Sequence, residues 1–449
     1  MNQNRNRRLL ISVALLLLSF TAVSARHSYS LSDCIHRAVT YNISTTINQW
    51  NIDIAQLANQ GVRYSFLPTL SLSNNHNVSL GRSLDPTTYQ FVTNRTVYDM
   101  SASIGGSMIL FSGFERINNI KKAKLNLQSA LLETEKTKND LALNVTAIFL
   151  NIVLDKEVIS ICESKVEMLR RQEDLIRRKI EAEAAIQGDI LNIQAVITQA
   201  QVELAEAKKS LNVDKIAMCE IISIEDWAGF DVSMEDIDCE YLESPRAFSQ
   251  DILVSAYCLP EIRLGENSID MAKRDIAITA SSYYPTLQLN AGYGSTFSNA
   301  RTKPGGEEYD FYDQLKDNMS SYVTLSLNIP ILSSISVANK VKQKHLSLSI
   351  AEDKLLQAKL ALEKDVKQAI VNANASYEKY ILLKTNVEQC IEALRQTEEK
   401  YAVGAATYYD YQIAFGNLFQ AQAQQLQSKY EYIFRTIIVD FYAGKPLCE

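Results

Sequence analysis

The chain has 449 residues, of which 45 are basic and 52 acidic, and its formal net charge is −7. No basic block follows the first few positions, so nucleic acid is not expected as a partner. The seven cysteines form no CxxC pair and no nucleophile lies in a recognisable setting, so we expect neither an enzyme nor a metal or cofactor site. The histidines are scattered over unrelated elements: His27, His36, His76 and His345.

The N-terminus has the pattern of a secretory signal. Three arginines among the first eight residues precede an apolar run from Leu9 to Phe20, and the small residues Val23-Ser24-Ala25 follow it. We predict a signal peptide over residues 1–25 and a mature chain that begins near Arg26. The apolar run is too short to span a bilayer, and no later segment approaches the length of a membrane helix.

Several cysteines have a structural or a chemical interpretation. A lipid anchor at Cys34 is not expected, because Asp33 is a poor residue before a cleavage site and the apolar run ends well upstream. Cys239 and Cys258 could pair in an oxidising compartment or stay free. The cysteines that lie on helical apolar seams are interpreted as small core residues: Cys162 and Cys390.

The first predicted elements are a helix and a strand hairpin. A helical pattern covers Leu31 to Arg63, with Ser32 or Asp33 available as its N-cap. After Pro68 the period changes to two, and we predict a β-hairpin over residues 66–111 whose second face carries mainly small polar residues. Its apolar face contains Leu70, Leu72, Val78, Leu80, Tyr98, Met100, Ala102, Ile104, Met108 and Leu110.

A long helix is predicted over residues 113–180, and a returning helix over 189–215. The long helix contains no proline, and its apolar residues keep the 3-4 spacing of a coiled-coil seam, interrupted at Asp155 and Glu173. The seam consists of Leu141, Val145, Ile148, Ile152, Ile159, Cys162, Val166, Leu169, Ile176 and Ile180. Such a helix extends for roughly 100 Å, so it must lie along other long helices.

The second half of the chain repeats the first. Adding 221 to the positions of the first seam and of its two interruptions gives a second seam in phase with the first, in which Ser376 and Thr397 are the polar positions. This second seam consists of Leu362, Val366, Ala369, Ala373, Tyr380, Leu383, Val387, Cys390, Leu394 and Tyr401. We therefore predict two structural repeats, over residues 26–217 and 248–441.

The second repeat is predicted to contain the same elements in the same order. After a helix come a β-hairpin over 285–332, a long helix over 333–400 and a returning helix over 409–441. Between the repeats the seam breaks, and the acid-rich residues 218–247 are predicted to form an irregular linker. Residues 442–449 form a tail. The predicted fold class is α+β.

The four predicted strands have the length of membrane strands. Each can supply the roughly 9 to 11 residues that a tilted membrane strand needs. Four strands cannot close a barrel, and an open sheet edge in lipid leaves backbone groups unpaired, so several chains must contribute to one barrel. The alternative is a soluble sheet with one wet face, which would bury its apolar face on helices packed nearby.

Both long helices end at matching turns, over residues 180–189 and 401–410. In the second turn Gly404 can adopt the left-handed conformation that closes a helix, and Thr407 with Asp410 resembles a capping box. A structural role explains these residues. If several chains gather these turns on one axis, Asp189 and Asp410 would also form carboxylate rings that constrict a pore and favour cations.

These features together resemble the TolC family of outer-membrane efflux and secretion ducts. The resemblance rests on the signal peptide, the two repeats, Pro-Thr-Leu at strand entry, and Tyr-x-Val-Gly-x-x-Thr-x-x-Asp at the second turn. It covers essentially all of the mature chain. It implies a homotrimer in the outer membrane of a Gram-negative-type cell, with twelve strands in one lipid-facing β-barrel and long coiled-coil helices in an α-barrel that extends into the periplasm.

The resemblance also implies partners at the second turn. In the family a Val-Gly-x-x-Thr turn meets a periplasmic adaptor, and the matching residues are Val403, Gly404 and Thr407. The adaptor would connect the duct to an inner-membrane pump of the RND or ABC type.

Family gating by bonds among Asp, Tyr and Arg implies Asp189, Tyr401 and Asp410 as periplasmic gate residues. Two departures concern these turns: Ala406 stands where an arginine is often found, and Glu183 replaces the glycine of the first turn.

Three roles are compatible with parts of the sequence. Within the duct interpretation, efflux of drugs or other small molecules competes with protein export in a type I secretion system, and no residue pattern separates the two. A coiled-coil structural or adhesive envelope protein explains both seams. It does not explain four alternating strands with small polar residues on one face.

Overall fold

The computed structural model describes residues 28–84, 89, 91–92, 96–182, 186–233, 249–303, 307–331 and 334–445. The predicted signal peptide, Cys239 and residues 234–247 of the predicted linker lie outside these ranges. The described helices are Leu31–Tyr41 (α1), Ile43–Tyr64 (α2), Glu115–Glu181 (α3), Gln187–Ile221 (α4), Gln250–Ala256 (α5), Pro260–Ala280 (α6), Phe311–Asp317 (α7), Ser334–Ala402 (α8) and Tyr408–Tyr442 (α9). None of these described helices combines the length and the apolar character that crossing a bilayer requires.

Helices α3 and α8 correspond to the predicted long helices 113–180 and 333–400, and α4 and α9 to the predicted returning helices 189–215 and 409–441. Their ends differ from the predicted ones by at most six residues. The largest difference is at α4, which continues to Ile221 and so includes the first residues of the predicted linker.

Four of the strands form one antiparallel sheet. The described strands are Ser28–Tyr29 (β1), Thr69–Ser79 (β2), Ser83–Leu84 (β3), Phe91–Val92 (β4), Val97–Ser112 (β5), Asp231–Val232 (β6), Thr286–Ser298 (β7) and Ser320–Asn328 (β8). The sheet order is β2-β5-β7-β8, so the predicted hairpins lie side by side. The fourth strand ends at Asn328, and Ile329 and Ile331, which were expected to continue it, lie beyond it next to Pro330, which has no N–H group to donate.

The register brings the apolar residues of all four strands to one face of the sheet. One cross-strand row on this face contains Leu70, Gly106, Ala291 and Val323. The adjacent row on the other face contains Thr69, Ser107, Asn290 and Thr324. Because side chains alternate between faces along a strand, the sheet has one apolar and one polar face. A bulge between Ile109 and Phe111 makes Phe111, rather than the expected Leu110, the partner of Leu287.

Both outer strands of this sheet pair on one side only within the described residues. All nine residues of β8 are exposed, and so are all residues of β2 except Ser79. The apolar side chains of these strands are among the most exposed large residues described, with 75% exposure at Leu70 and at Val323. The backbone groups along these two edges therefore need partners that this chain does not supply in the described ranges.

The predicted seams lie on the packed faces of α3 and α8. No seam position is exposed, and Val145, Ile152, Leu169 and Val366 are almost completely buried. The polar residue at one interruption, Glu173, accepts hydrogen bonds from Arg177 Nη2 at 3.2 Å and Gln194 Nε2 at 3.0 Å. Outside the seam, Phe149 and Val153 are also buried, so the middle of α3 is covered on more than one side.

The first predicted helix is two helices with a different cap. Ser30, rather than Ser32 or Asp33, is the N-cap of α1, and Asp33 is the third residue of its capping box. Helix α1 ends at Tyr41, and the extended backbone of its C-cap residue Asn42 separates it from α2. The Asn42 side chain donates to Ile221 O at 2.9 Å, so this residue contacts α4 at the point where the predicted helix is interrupted.

The predicted linker and the helical pattern after it also differ from the structure. Strand β6 lies at 231–232 and pairs in parallel with β1. The helix predicted before the second hairpin is broken into α5 and α6, and Pro260 begins the second of these helices.

The chain divides into two units. One comprises residues 48–133 and 260–358 and contains the four-stranded sheet. Within it α6 packs on α3, where buried Asn267 donates from Nδ2 to Leu125 O and to Ser129 Oγ, both at 2.7 Å, and Lys122 pairs with Asp275 at 2.6 Å.

The other unit comprises residues 28–47, 134–259 and 359–445 in its described ranges and contains three apolar clusters. Cys34 is completely buried in the first of these, and burial raises the pKa of its thiol to about 12. Cys162 and Cys390 are half-buried, and Cys258 is an exposed free thiol.

Asp155, the other polar interruption of the first seam, provides a test of this packing. Burial raises the pKa of its carboxyl to about 6, the Ser210 hydroxyl opposes the rise, and the Asp214 carboxylate on α4 adds to it. A folded-state pKa above the ordinary value means that the neutral form stabilises the fold at low pH and that this contribution is lost as the pH rises from about 4 to about 6. We expect Asp155→Asn to raise the thermal unfolding temperature at pH 7.5 and to change it little at pH 4.

The control for this prediction is Asp174→Asn, at an exposed position of the same helix, which should change stability little at either pH. Equal effects of Asp155→Asn at both pH values would contradict the proposed desolvation of Asp155.

Candidate functional site

The predicted gate and docking residues lie where long helices end and returning helices begin. The first tip is the end of α3 and the start of α4, and the second tip is the end of α8 and the start of α9. At the first tip α4 begins after Ile186, which has an extended backbone and no side-chain cap. Asp189 lies in the first turn of α4, where its negative charge interacts favourably with the helix dipole. Its N–H donates to Ile186 O at 3.0 Å. Residues 183–185, including Glu183, lie outside the described ranges.

A Schellman motif closes α8 at the second tip. The N–H of Ala405 donates to Lys400 O at 2.8 Å, and the N–H of Gly404 donates to Tyr401 O at 3.2 Å. Gly404 has φ +77°, which confirms the predicted left-handed conformation. A side chain at this position would be strained, so glycine gives the turn its shape. Val403, the residue before it, is 80% exposed.

A capping box begins α9. The backbone N–H of Asp410 donates to Thr407 Oγ1 at 3.2 Å, and Thr407 donates to Asp410 Oδ2 from its N–H at 2.9 Å and from its hydroxyl at 2.6 Å. These hydrogen bonds favour the charged carboxylate and lower the pKa of Asp410. The predicted capping box is therefore confirmed, and the Asp410 side chain bonds to Thr407, the N-cap residue of α9 in the same chain.

Aromatic side chains connect α8 to α9 at the second tip. The ring of Tyr401 stacks on Tyr411 with centroids 5.8 Å apart, and it also meets Tyr408 at 6.2 Å. The row continues along α9 through Phe415 and Phe419, whose ring centroids are 4.7 Å apart. Burial raises the pKa of the Tyr408 hydroxyl to about 12, and Asp189 is among the negative charges that add to the rise.

The same aromatic residues pack on the first tip. Tyr411 and Phe415 share a buried cluster with Ile176 of α3 and Ile193 of α4, so the four helix ends form one apolar cluster within the chain. Such packing orders the helix ends relative to each other.

Of the predicted gate residues, Asp410 bonds within the second tip, whereas Tyr401 contacts the first tip. Tyr401 and Asp189 are both half-buried, but within the described ranges no hydrogen bond joins them. Tyr401 instead receives Lys179 Nζ of the first tip, 4.1 Å from its ring centroid. Lys179 was not a predicted site residue, because its position in the last turn of α3 does not reveal a contact with a helix so far along the chain.

No group of three or more His, Cys, Asp or Glu residues in the described ranges is arranged to hold a metal ion. The tips present the exposed turn, the carboxylates and the aromatic side chains described above.

Comparison with known proteins adds to this geometry. In sequence, the chain is 22% identical over 395 residues to outer membrane protein TolC of Escherichia coli K12, a match that covers 85% of this chain and 75% of TolC. It is 21% identical over 400 residues to the alkaline protease secretion protein AprF of Pseudomonas aeruginosa, covering 85% and 77% of the two chains.

A solved structure has the same fold. The channel protein CusC superposes with a TM-score of 0.79 at 14% sequence identity, over 93% of this chain and 92% of CusC.

The sequence model of one family, described as outer membrane efflux protein, matches two separate stretches of the chain, residues 42–222 and 259–437. Together these stretches include every helix from α2 to α8 apart from α5, most of α9, and the four-stranded sheet. The chain therefore belongs to the outer membrane efflux protein family.

Proposed function

We propose that three copies of this chain assemble into one passive exit duct, with twelve strands closed into a β-barrel. The protein is an outer-membrane duct for efflux or type I secretion, and it extends into the periplasm. The trimer and the closed barrel are the features of this duct that require a direct test.

The observation that carries the proposal is the four-stranded sheet, which has one apolar face and, within the described part of the chain, two unpaired edges. A sheet in lipid must satisfy every backbone donor and acceptor, because no water is present to replace a missing partner. In the antiparallel order β2-β5-β7-β8, the direction of β8 is opposite to that of β2. Edge β8 of one copy can therefore continue in antiparallel fashion onto β2 of the next, and three copies give a closed ring.

The helical part is proposed to form an α-barrel built from two repeats of each chain. The two separate stretches matched by the family model support this division. Exposed apolar residues at the 3-4 spacing of a seam also follow α2, and no described part of the chain covers them: Ile43, Ile47, Trp50, Ile54, Leu57 and Tyr64. A neighbouring copy would bury this stripe.

Asp189, Tyr401 and Asp410 are proposed to form the periplasmic constriction. In a trimer each position occurs three times around the axis, and a ring of three carboxylates favours cations over anions. The ordered tips support this role, because the capping box holds Asp410 and ring contacts with Tyr408 and Tyr411 hold Tyr401.

Val403, Gly404 and Thr407 are proposed to dock a periplasmic adaptor, which connects the duct to an inner-membrane pump. The exposed Val403 side chain and the glycine turn support this assignment, because an apolar residue in a rigid turn is suited to burial in an interface.

Efflux of small molecules is the favoured use of the duct, and export of proteins in a type I system is the second candidate. The similarity to AprF, a protease secretion protein, supports the second candidate. Identification of the adaptor and pump that copurify with this chain separates the two, since a proton-driven pump indicates efflux and an ATP-driven exporter indicates protein secretion.

The duct function predicts a channel. The detergent-extracted protein should migrate on gels as a heat-modifiable trimer and should produce discrete conductance steps in a planar bilayer. A coiled-coil structural or adhesive protein would produce neither result.

The two faces of the sheet should respond differently to charge. Leu325→Lys places a cation on the apolar face, which costs about 2–4 kcal/mol near the bilayer midplane, so the amount of trimer in outer-membrane fractions should fall sharply. The matched control is Thr324→Lys, one residue earlier on the polar face, which should assemble normally. Equal loss of trimer in both variants would contradict a lipid-facing apolar side.

The docking role of the second tip predicts a loss of adaptor without a loss of trimer. We expect Val403→Asp to reduce the adaptor recovered with the cross-linked duct at least about tenfold, because a charge would be buried in an apolar contact. The control is Leu382→Asp, which is also exposed and lies about 30 Å away along α8. Unchanged adaptor recovery with Val403→Asp would remove this residue from the interface.

A further inference from the structure

We propose that Lys179 is a gate-closing residue that joins the two tips of each chain by placing its ammonium group against the ring face of Tyr401. This role rests on the proposed duct function, because it concerns closure of the same tips. The part of Tyr401 that acts is then its aromatic ring, and its hydroxyl is not required.

The position of Lys179 supports a specific contact. Its Nζ lies 4.1 Å from the Tyr401 ring centroid, well within the roughly 6 Å over which a cation is attracted to an aromatic face. Lys179 is half-buried, whereas Arg177 and Arg178 beside it are exposed. Arg177 pairs within its own helix with Glu173 at 3.2 Å. Lys179 therefore differs from its basic neighbours in reaching across to another helix.

The aromatic surroundings hold the Tyr401 ring in place for this contact. Tyr401 stacks on Tyr411 with an interplanar angle of 29°, and Tyr411 in turn stacks on Phe415. Tyr411 and Phe415 are buried in the cluster that all four helix ends share. A ring whose orientation is already fixed loses little freedom when the lysine binds, so more of the attraction contributes to closure.

The contact joins the two tips, which must separate when the proposed gate opens. Lys179 lies in the last turn of α3, at the first tip, and Tyr401 in the last turn of α8, at the second tip. Any opening that separates the two tips must break this contact, whereas the capping box of Thr407 and Asp410 lies within the second tip and can stay intact. An interaction made only in the closed state shifts the equilibrium toward that state.

The experiment measures open probability of the full-length trimer in planar bilayers, together with the entry of a large antibiotic into cells. Lys179→Met keeps most of the apolar stem and removes the charge, and Tyr401→Leu removes the ring. Each variant should weaken closure by about fivefold in each chain. Because all three chains of the trimer carry the change, open probability should rise by at least about fivefold, and by up to about a hundredfold if the three chains open together. The double variant should not exceed the larger single effect, because both changes remove one interaction.

Conservative variants distinguish the ring face of Tyr401 from its hydroxyl as the group that holds the gate closed. Lys179→Arg keeps a cation and Tyr401→Phe keeps the ring, so both should stay closed like the wild type. Arg178→Met is the matched control, since it removes a neighbouring exposed charge of α3 and should have no effect. Trimer yield is measured for every variant, and only variants with wild-type yield are compared.

Three outcomes overturn the proposal. If the duct that carries Lys179→Met stays closed, the lysine has no role in the gate. Tyr401→Phe that opens as far as Tyr401→Leu assigns closure to the hydroxyl, and additive effects in the double variant show that the two residues act separately. A wild-type chain that forms no channel at all is a different result, because it refutes the proposed duct and with it every role assigned to the tips.

Discussion

The constraint on which the rest of this structure depends is the pairing of backbone groups at the two edges of the four-stranded sheet. Strands β2 and β8 are exposed over almost their whole length, and one face of the sheet carries most of the apolar residues of all four strands. In water such edges invite aggregation, and in lipid they are not tolerated. The proposed closure with further copies would satisfy both edges at once, and it would make the small polar residues of the opposite face the lining of a channel.

The long helices also need partners, and they obtain them through their side chains. A seam of apolar residues packs α3 and α8 onto their neighbours, and Glu173, a polar interruption of the first seam, is matched by Arg177 on its own helix and by Gln194 on α4. At the tips the packing becomes aromatic, and Lys179 adds a charged contact to the ring of Tyr401. The tips therefore combine a buried cluster, which keeps the helix ends together, with a charged contact at its edge that opening of the proposed gate would break.

The sequence predicted best what repeats along one element. Alternation defined the strands to within a few residues, the 3-4 spacing identified the buried faces of α3 and α8, and the local motif at Thr407 and Asp410 formed as expected. It did not predict contacts between distant segments. Asn42, which follows α1, donates a hydrogen bond to α4, and the contact of Lys179 with Tyr401 joins residues in different halves of the chain. No periodicity encodes such pairs, because each depends on how whole helices pack.

The most direct test of the central claim is a cryo-EM map of the full-length protein extracted from the outer membrane. The account predicts a threefold particle with twelve strands, in which Ser320–Asn328 of one copy pairs in antiparallel fashion with Thr69–Ser79 of the next. A particle in which a single chain covers both of these edges with its own segments would contradict it.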